Sequence, residues 1–205
     1  MFLYGASGHA KVIIDSLRAS GVTISGLFDD NPDIKQLLEY PVWGAFDKKR
    51  LGDDSLIVSV GVNTIRKKIV DHLPSDVAYG KAVHPSAIVS RYASVGDGSV
   101  VMQGVIIQAS STVGSHSIIN TGASVDHDCN VGDFVHISPH ATLCGNVTVD
   151  EGSWVAAGAI ILPGVKIGKG CVIGAGSVVT KDIPDYSLTA GNRCKVIKKL
   201  NPRAL

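Results

Sequence analysis

From Val83 onward, every sixth residue is valine, isoleucine or leucine. The series runs Val83, Val89, Val95, Val101, Ile107, Val113, Ile119, Val125, Val131, Ile137, Leu143, Val149, Val155, Ile161, Ile167, Ile173 and Val179 without a slip. Four residues after each stands a small or apolar residue, from Ala87 and Ala93 through Cys129 and Cys171 to Ile183. A six-residue unit cannot bury its own apolar face, so these units must stack on one another as a solenoid. Both recurring side chains then point into a narrow prism of short strands joined by tight corners. Gly98, Gly104, Gly122, Gly152, Gly158, Gly164, Gly170 and Gly176 all fall at the fourth position of their hexads, where a corner needs positive φ. Three hexads make a coil that advances by one strand spacing, about 4.8 Å, giving roughly six coils.

The first eighty residues follow another pattern. Phe2-Leu3-Tyr4 runs into Gly5-Ala6-Ser7-Gly8-His9 and then into Ala10 to Leu17, where apolar residues recur at helical spacing. Strand, glycine-rich turn and helix are expected in that order. A second strand is expected from Ile24 to Phe28, closing on Asp29 and Asp30. A third, Leu56 to Val60, leads through Gly61-Val62-Asn63 to a helix near Ile65 to Leu73. Alternating strands and helices imply a small parallel, Rossmann-like α/β domain. The expected division is an α/β domain over 1–80, a β-helix over 81–183 and a C-terminal tail over 184–205.

Several function classes are disfavoured by composition. Nineteen basic residues against eighteen acidic ones leave no positive field for nucleic acid. The opening residues carry no basic n-region or cleavage site, and no stretch approaches eighteen unbroken apolar residues, so a cytoplasmic protein with no membrane partner is expected. The cysteines show no C-x-x-C spacing, and Cys129 and Cys171 take the inward slot, as core fillers would. A zinc site shared between coils needs histidines eighteen or thirty-six residues apart. No pair among His9, His72, His84, His116, His127, His136 and His140 meets that rule, so no metal is expected.

Two segments carry chemistry. The Gly5-to-His9 turn can present backbone N–H groups and a helix N-terminus to a phosphate, but it lacks the middle glycine of a dinucleotide fingerprint. Asp29 and Asp30, about twenty residues on, suit a ribose hydroxyl or a base edge; helix capping and a solvated turn remain the alternative. His127, between Asp126 and Asp128, occupies an outward hexad position. An imidazole held by a carboxylate can accept a proton near neutral pH, although a merely solvated surface histidine would look the same. His136, at the sixth position of its hexad, also points outward.

The segment Asn120-Thr121-Gly122-Ala123-Ser124-Val125-Asp126-His127-Asp128-Cys129, then Gly132-Asp133-Phe134-Val135-His136, together with Tyr4-Gly5-Ala6-Ser7-Gly8-His9, resembles the hexapeptide-repeat sugar O- and N-acetyltransferases of the sialic-acid and bacillosamine type. That resemblance implies a left-handed β-helix, a homotrimer, and acetyl-CoA as co-substrate without a metal. It implies transfer to the 4-amino group of a UDP- or GDP-linked 4-amino-4,6-dideoxy sugar. By the same resemblance His127 is the general base supported by Asp128, His136 lies near the acetyl thioester, and Asn120 lies near the sugar. Ser7, Gly8, His9, Asp29, Asp30 and Gly61 fall at the nucleotide. For CoA, the small residues Ala156, Ala157, Gly174 and Ala175 of the late coils, with Lys181, are the expected contacts. Where the family commonly ends Gly-Asn-Pro-Ala-Lys, this chain has Gly191-Asn192-Arg193-Cys194-Lys195. The alternatives are O-acetylation of sialic acid and a non-catalytic sugar-nucleotide-binding solenoid.

Overall fold

The computed structural model describes residues 1–201. Its N-terminal part is a parallel sheet of three strands, Phe2–Tyr4 in the centre, Gly26–Phe28 on one side and Leu56–Val58 on the other. One face buries Leu3, Leu27 and Ile57 against Ile13, Ile14 and Leu17 of the helix Gly8–Ala19. The other packs Phe2, Tyr4 and Phe28 against the side of the helix Asn63–His72 that carries Ile69 and Val70. The second strand starts at Gly26, later than Ile24, because Gly26 has φ +148° and the Trp43 indole fills the space a Cβ would need. The third ends at Val58, where Ser59 turns away and donates its hydroxyl to the Tyr4 and Gly5 carbonyls. A hairpin, Gln36–Leu37 with Tyr40–Pro41, and a one-turn helix, Lys48–Leu51, were too short to leave a periodic signal. No helix among the described residues is long and apolar enough to cross a membrane.

From Ala82–Val83 the chain forms a left-handed parallel β-helix of about six turns. Each two-residue strand pairs with the strand eighteen residues later, as Ile106 does with Ser124 and Val125 with Leu143. The three faces are sheets of six, five and eight strands. Inside run the expected residues, Val101, Ile119, Val125, Ile137, Leu143 and Val155 among them, all but excluded from solvent. Inward serines add a polar spine: Ser117 N–H donates to Ser99 Oγ at 2.8 Å, and Val135 N–H to Ser117 Oγ at 3.0 Å. The final segment adds two strands to the eight-stranded face, Ser187–Ala190 in parallel and Lys195–Lys199 antiparallel to it.

The corners show where sequence and geometry part. Glycine takes the left-handed conformation at all eight expected corners, but at the same register Ser110, His116, Asp128, Phe134, His140 and Asn146 also have φ between 54° and 62°. A side chain in that conformation costs energy, so a corner that keeps one needs a reason.

The α/β domain lies on the eight-stranded face, where Ala10, Ile13 and Leu17 share a core with Ala82, Val100, Met102 and Ile118. Arg66 locks the two parts together. Its side chain is fully buried and meets no carboxylate; it donates to the carbonyls of Val60, Gly61, His116 and Phe134 and to Asn63 Oδ1. Sequence reasoning passed over it, because an arginine on a short helix reads as a solvated residue.

Three histidines share this junction. Burial first, and then the Arg66 charge, pull His9 and His116 down to about 4 and His136 to about 3 from the ordinary 6.5. All three are therefore neutral in the folded protein at neutral pH. The unfolded chain binds their protons first, so their contribution to stability is complete above pH 6.5 and is lost as the pH falls toward 4. Thermal melts are expected to show a constant midpoint from pH 8 to 7 and a falling one from 6.5 to 4.5. A flat profile across that second range would contradict neutral burial.

Candidate active site

His127 sits in the corner that joins Ser124–Val125, in the six-stranded sheet, to Asn130–Val131, in the five-stranded sheet. Its Nδ1 lies 2.7 Å from Asp128 Oδ2, and its backbone N–H donates to Asp126 Oδ1 at 2.8 Å. The left-handed φ of Asp128, +59°, turns that carboxylate back toward the ring. A carboxylate only accepts, so Nδ1 carries the proton and the Nε2 lone pair is left for a substrate. The Asp128 hydrogen bond, then the Asp126 charge, raise the pKa of this exposed imidazole above its ordinary value.

The ring lies over the next coil. A Cβ placed on Gly145 would come within 2.7 Å of His127 Cε1 and Nε2. Gly145 is eighteen residues after His127; His116 and His140 stack the other way, over Gly98 and Gly122 eighteen residues before them. That Gly-to-His spacing of one coil was the available signal for Gly145, and sequence reasoning missed it. Gly145→Ala is expected to leave the melting temperature near wild type while tilting the imidazole. Misplacement on the ångström scale can cost up to about 10²-fold in kcat. Wild-type turnover in the variant would mean the ring position is unimportant.

His136 stands elsewhere. It opens the strand His136–Ile137 on the eight-stranded face, which in a three-sided prism is the face opposite the His127 corner. The expected outward direction is right for the prism, but the α/β domain of the same chain covers the residue, leaving it half-buried. Thr121 N–H holds Asn120 Oδ1 at 2.8 Å, so the amide nitrogen is the atom facing His136 Nε2 at 3.1 Å. Nε2 therefore accepts, and the Nδ1 proton goes to the Gly61 carbonyl.

A cavity of 530 Å³ opens beside His136, lined by Ser7, Val60 to Thr64, Gly152, Trp154 and Val172. It meets the first turns of two helices, Gly8–Ala19 and Asn63–His72, and neither has a side chain capping its N–H groups. Free N–H groups at converging helix starts favour an anion.

The first 73 residues match the family model described as PglD N-terminal domain, and residues 146–181 match bacterial transferase hexapeptide repeats. UDP-N-acetylbacillosamine N-acetyltransferase of Bacillus subtilis (strain 168) is 39% identical over 109 residues, 48% of this chain and 49% of that protein. That alignment thus spans about half the length of the curated relative. The crystal structure of PerB from Caulobacter crescentus, in complex with CoA and GDP-perosamine, is 40% identical over 96% of both chains with a TM-score of 0.88. The chain belongs to the hexapeptide-repeat sugar acetyltransferases. A third relative, the acetyltransferase domain of PglB from Neisseria gonorrhoeae FA1090 in complex with acetyl coenzyme A, is 35% identical over 96% of this chain and 98% of that one, with a TM-score of 0.87.

In this acetyltransferase the remaining candidates are spread over several places. Ser7, Gly61 and His136 share the cavity, with Asn120 hydrogen-bonded behind His136. His9 turns inward: its ring lies 6.3 Å from that of His136 between centroids, and its Nε2 is buried without a partner, so it belongs to the domain junction more than to an open phosphate turn. Gly8 is exposed, and a Cβ there would meet nothing. Gly8→Val should therefore fold normally and raise the KM for a phosphate-bearing substrate without weakening acetyl-CoA binding; equal damage to both would make the turn structural.

The acidic pair divides. Asp29 accepts from Ala6 N–H at 2.6 Å and Asn31 N–H at 2.9 Å, clamping the glycine turn, whereas Asp30 accepts from Tyr4 Oη at 2.7 Å and faces a second cavity. The late-coil candidates line neither cavity. Ala156 and Gly174 are not open to a pantetheine arm through their N–H groups, which the ladder uses to bond Ile173 and Thr189 carbonyls. Ala157, Ala175 and Lys181 are exposed at the surface.

Proposed function

We propose that the chain transfers the acetyl group of acetyl-CoA to the 4-amino group of a UDP- or GDP-linked 4-amino-4,6-dideoxy sugar. The observation that carries this reading is the His127–Asp128 pair, an oriented and exposed imidazole in a chain that aligns over 96% of its length with a protein solved in complex with CoA and GDP-perosamine. The sugar amine attacks the thioester carbonyl carbon, and a C–N bond forms. His127 Nε2 takes the proton that the nitrogen loses, while Asp128 holds Nδ1–H and stabilises the imidazolium. Collapse of the tetrahedral intermediate breaks the C–S bond and releases CoA as its thiolate.

The cavity with its two helix N-termini receives the diphosphate, at the Ser7–Gly8 turn and beside Gly61. Asn120, held by Thr121 and His136, keeps a second amide proton for a sugar hydroxyl or the oxyanion. For CoA we retain Ala157, Ala175 and Lys181 as surface contacts.

The cavity and His127 lie on opposite sides of one prism, so a complete site draws on two chains. The six-stranded face presents Ile88 and Ile160 to solvent, 65% and 39% exposed, and we take it as part of the contact between copies in a homotrimer. The test of the reaction is acetyl-CoA consumption with nucleotide-linked 4-amino sugars and with free sialic acid as acceptors. Turnover with the first alone supports the reading, and turnover with sialic acid alone overturns it.

A further inference from the structure

Arg66 does more than hold the two parts of the chain together. Its guanidinium places all five N–H groups on neutral acceptors. Nε donates to the His116 carbonyl at 2.7 Å, Nη1 to those of Val60 at 2.9 Å and Gly61 at 3.3 Å, and Nη2 to Asn63 Oδ1 at 2.8 Å and the Phe134 carbonyl at 3.1 Å. The residue is 1% exposed, yet no carboxylate among the described residues pairs with it. A buried charge is ordinarily matched by an opposite one, because removing it from water is expensive. Burial pulls the Arg66 pKa down to about 9, which leaves the side chain protonated at neutral pH.

Three of the five acceptors come from one short segment. Val60, Gly61 and Asn63 line the 530 Å³ cavity, so the guanidinium stands directly behind its wall. The Gly61 oxygen also accepts the His136 Nδ1–H, and the Val62 carbonyl accepts the Arg66 backbone N–H at 2.9 Å. The oxygens of this segment are thus engaged on the far side of the wall. What it can offer the cavity is the uncapped N–H groups at the start of the helix Asn63–His72, with an unneutralised cation behind them.

Resting on the nucleotide-sugar reading above, we propose that Arg66 is a positioning residue for the diphosphate, a cation without a counter-ion in the cavity wall that the bound anion completes. It touches no phosphate, since its donors are all committed. It draws the carbonyls of the Val60–Asn63 segment away from the anion, and its charge acts through a wall where salt and water screen it little. Its bonds to His116 and Phe134 reach corners of the β-helix, so the same side chain fixes where on the prism the phosphate-facing segment stands. His127 lies on the opposite side of the prism and shares no hydrogen bond with Arg66.

The experiment compares the wild type with Arg66→Lys and Arg66→Met, each checked by a melting curve, for the dissociation constants of GDP, UDP and acetyl-CoA by calorimetry. Lysine keeps the charge but brings three donors to five acceptors, and methionine supplies neither. Arg66→Lys is expected to weaken the tighter-binding nucleotide about 3- to 10-fold, the worth of one or two lost hydrogen bonds. Arg66→Met, which also loses the charge, should weaken it about 10- to 100-fold. Acetyl-CoA should stay within about twofold of wild type in both, as expected for a site with no shared partner. Wild-type nucleotide affinity in a folded Arg66→Lys protein overturns the proposal even if Arg66→Met does not fold. Equal losses for nucleotide and acetyl-CoA would make Arg66 a structural lock alone and overturn it too, with the nucleotide-sugar reading left standing. If the wild type binds neither GDP nor UDP, both readings fall together.

Discussion

Replacing His127 by alanine is expected to lower kcat by about 10²–10⁴-fold, the usual contribution of a positioned general base, with little change in the affinity for either substrate. The residue is exposed and touches no core side chain, so the variant should melt as the wild type does. Near-normal turnover in a folded His127→Ala protein would remove the central claim. The pH profile adds a second reading of the same group. Only the neutral imidazole can take the proton, and Asp128 and Asp126 raise its pKa above the ordinary 6.5. The acid limb of kcat/KM should therefore lie above that value, and Asp128→Asn should move it down. An acid limb that stays in place in Asp128→Asn would mean that another group is being titrated.

Mixing two inactive variants should restore activity, and this follows from the opposed placement of the two histidines. His127 occupies the corner between the six- and five-stranded sheets, while His136 lies on the third face under its own α/β domain. His136→Ala frees the Gly61 carbonyl and lets the Asn120 amide turn, so it should be nearly inactive even though its imidazole is not a base. A site built from His127 of one chain and the His136 cavity of the next is complete when the first chain is His136→Ala and the second is His127→Ala. Random exchange at equal amounts makes about one interface in four of that kind, so about a quarter of wild-type turnover should return. No recovery under demonstrated exchange would place the whole reaction within one chain.

The six-residue period made the β-helix legible because every inward position had to be apolar and every coil had to match its neighbours. It carried the core positions from Val101 to Val179 and the glycine corners directly into the structure. The strand, turn and helix around Gly5 to Leu17 were legible for a similar reason, as short-range periodicity and a turn. His127 and Asp128 could be singled out because they are adjacent in sequence, and the structure brings them together at 2.7 Å. What could not be read was whatever depends on the docking of the two parts. Arg66 and the burial of His9, His116 and His136 belong to that contact, and no local pattern encodes it. The corners held a signal that was overlooked: Asp128, His116 and Phe134 replace the glycine that backbone strain favours. Asp128 orients His127, and His116 stacks on Phe134 at 5.0 Å between centroids, both giving carbonyls to Arg66.

The register of eighteen residues gives the β-helix something like a reading frame. A deletion or insertion of one full coil returns each later side chain to the same face, so Val125 would still stand above a residue of its own sheet. A change of six residues keeps the apolar core in order, since every hexad has the same inward positions, but it rotates everything downstream by a third of a turn. Between His127 and His136 such a change would leave a stable, well-packed prism in which His136 no longer faces the α/β domain. Stability and catalysis thus tolerate different lengths. Multiples of six preserve the fold, and only multiples of eighteen preserve the side of the molecule on which each residue stands.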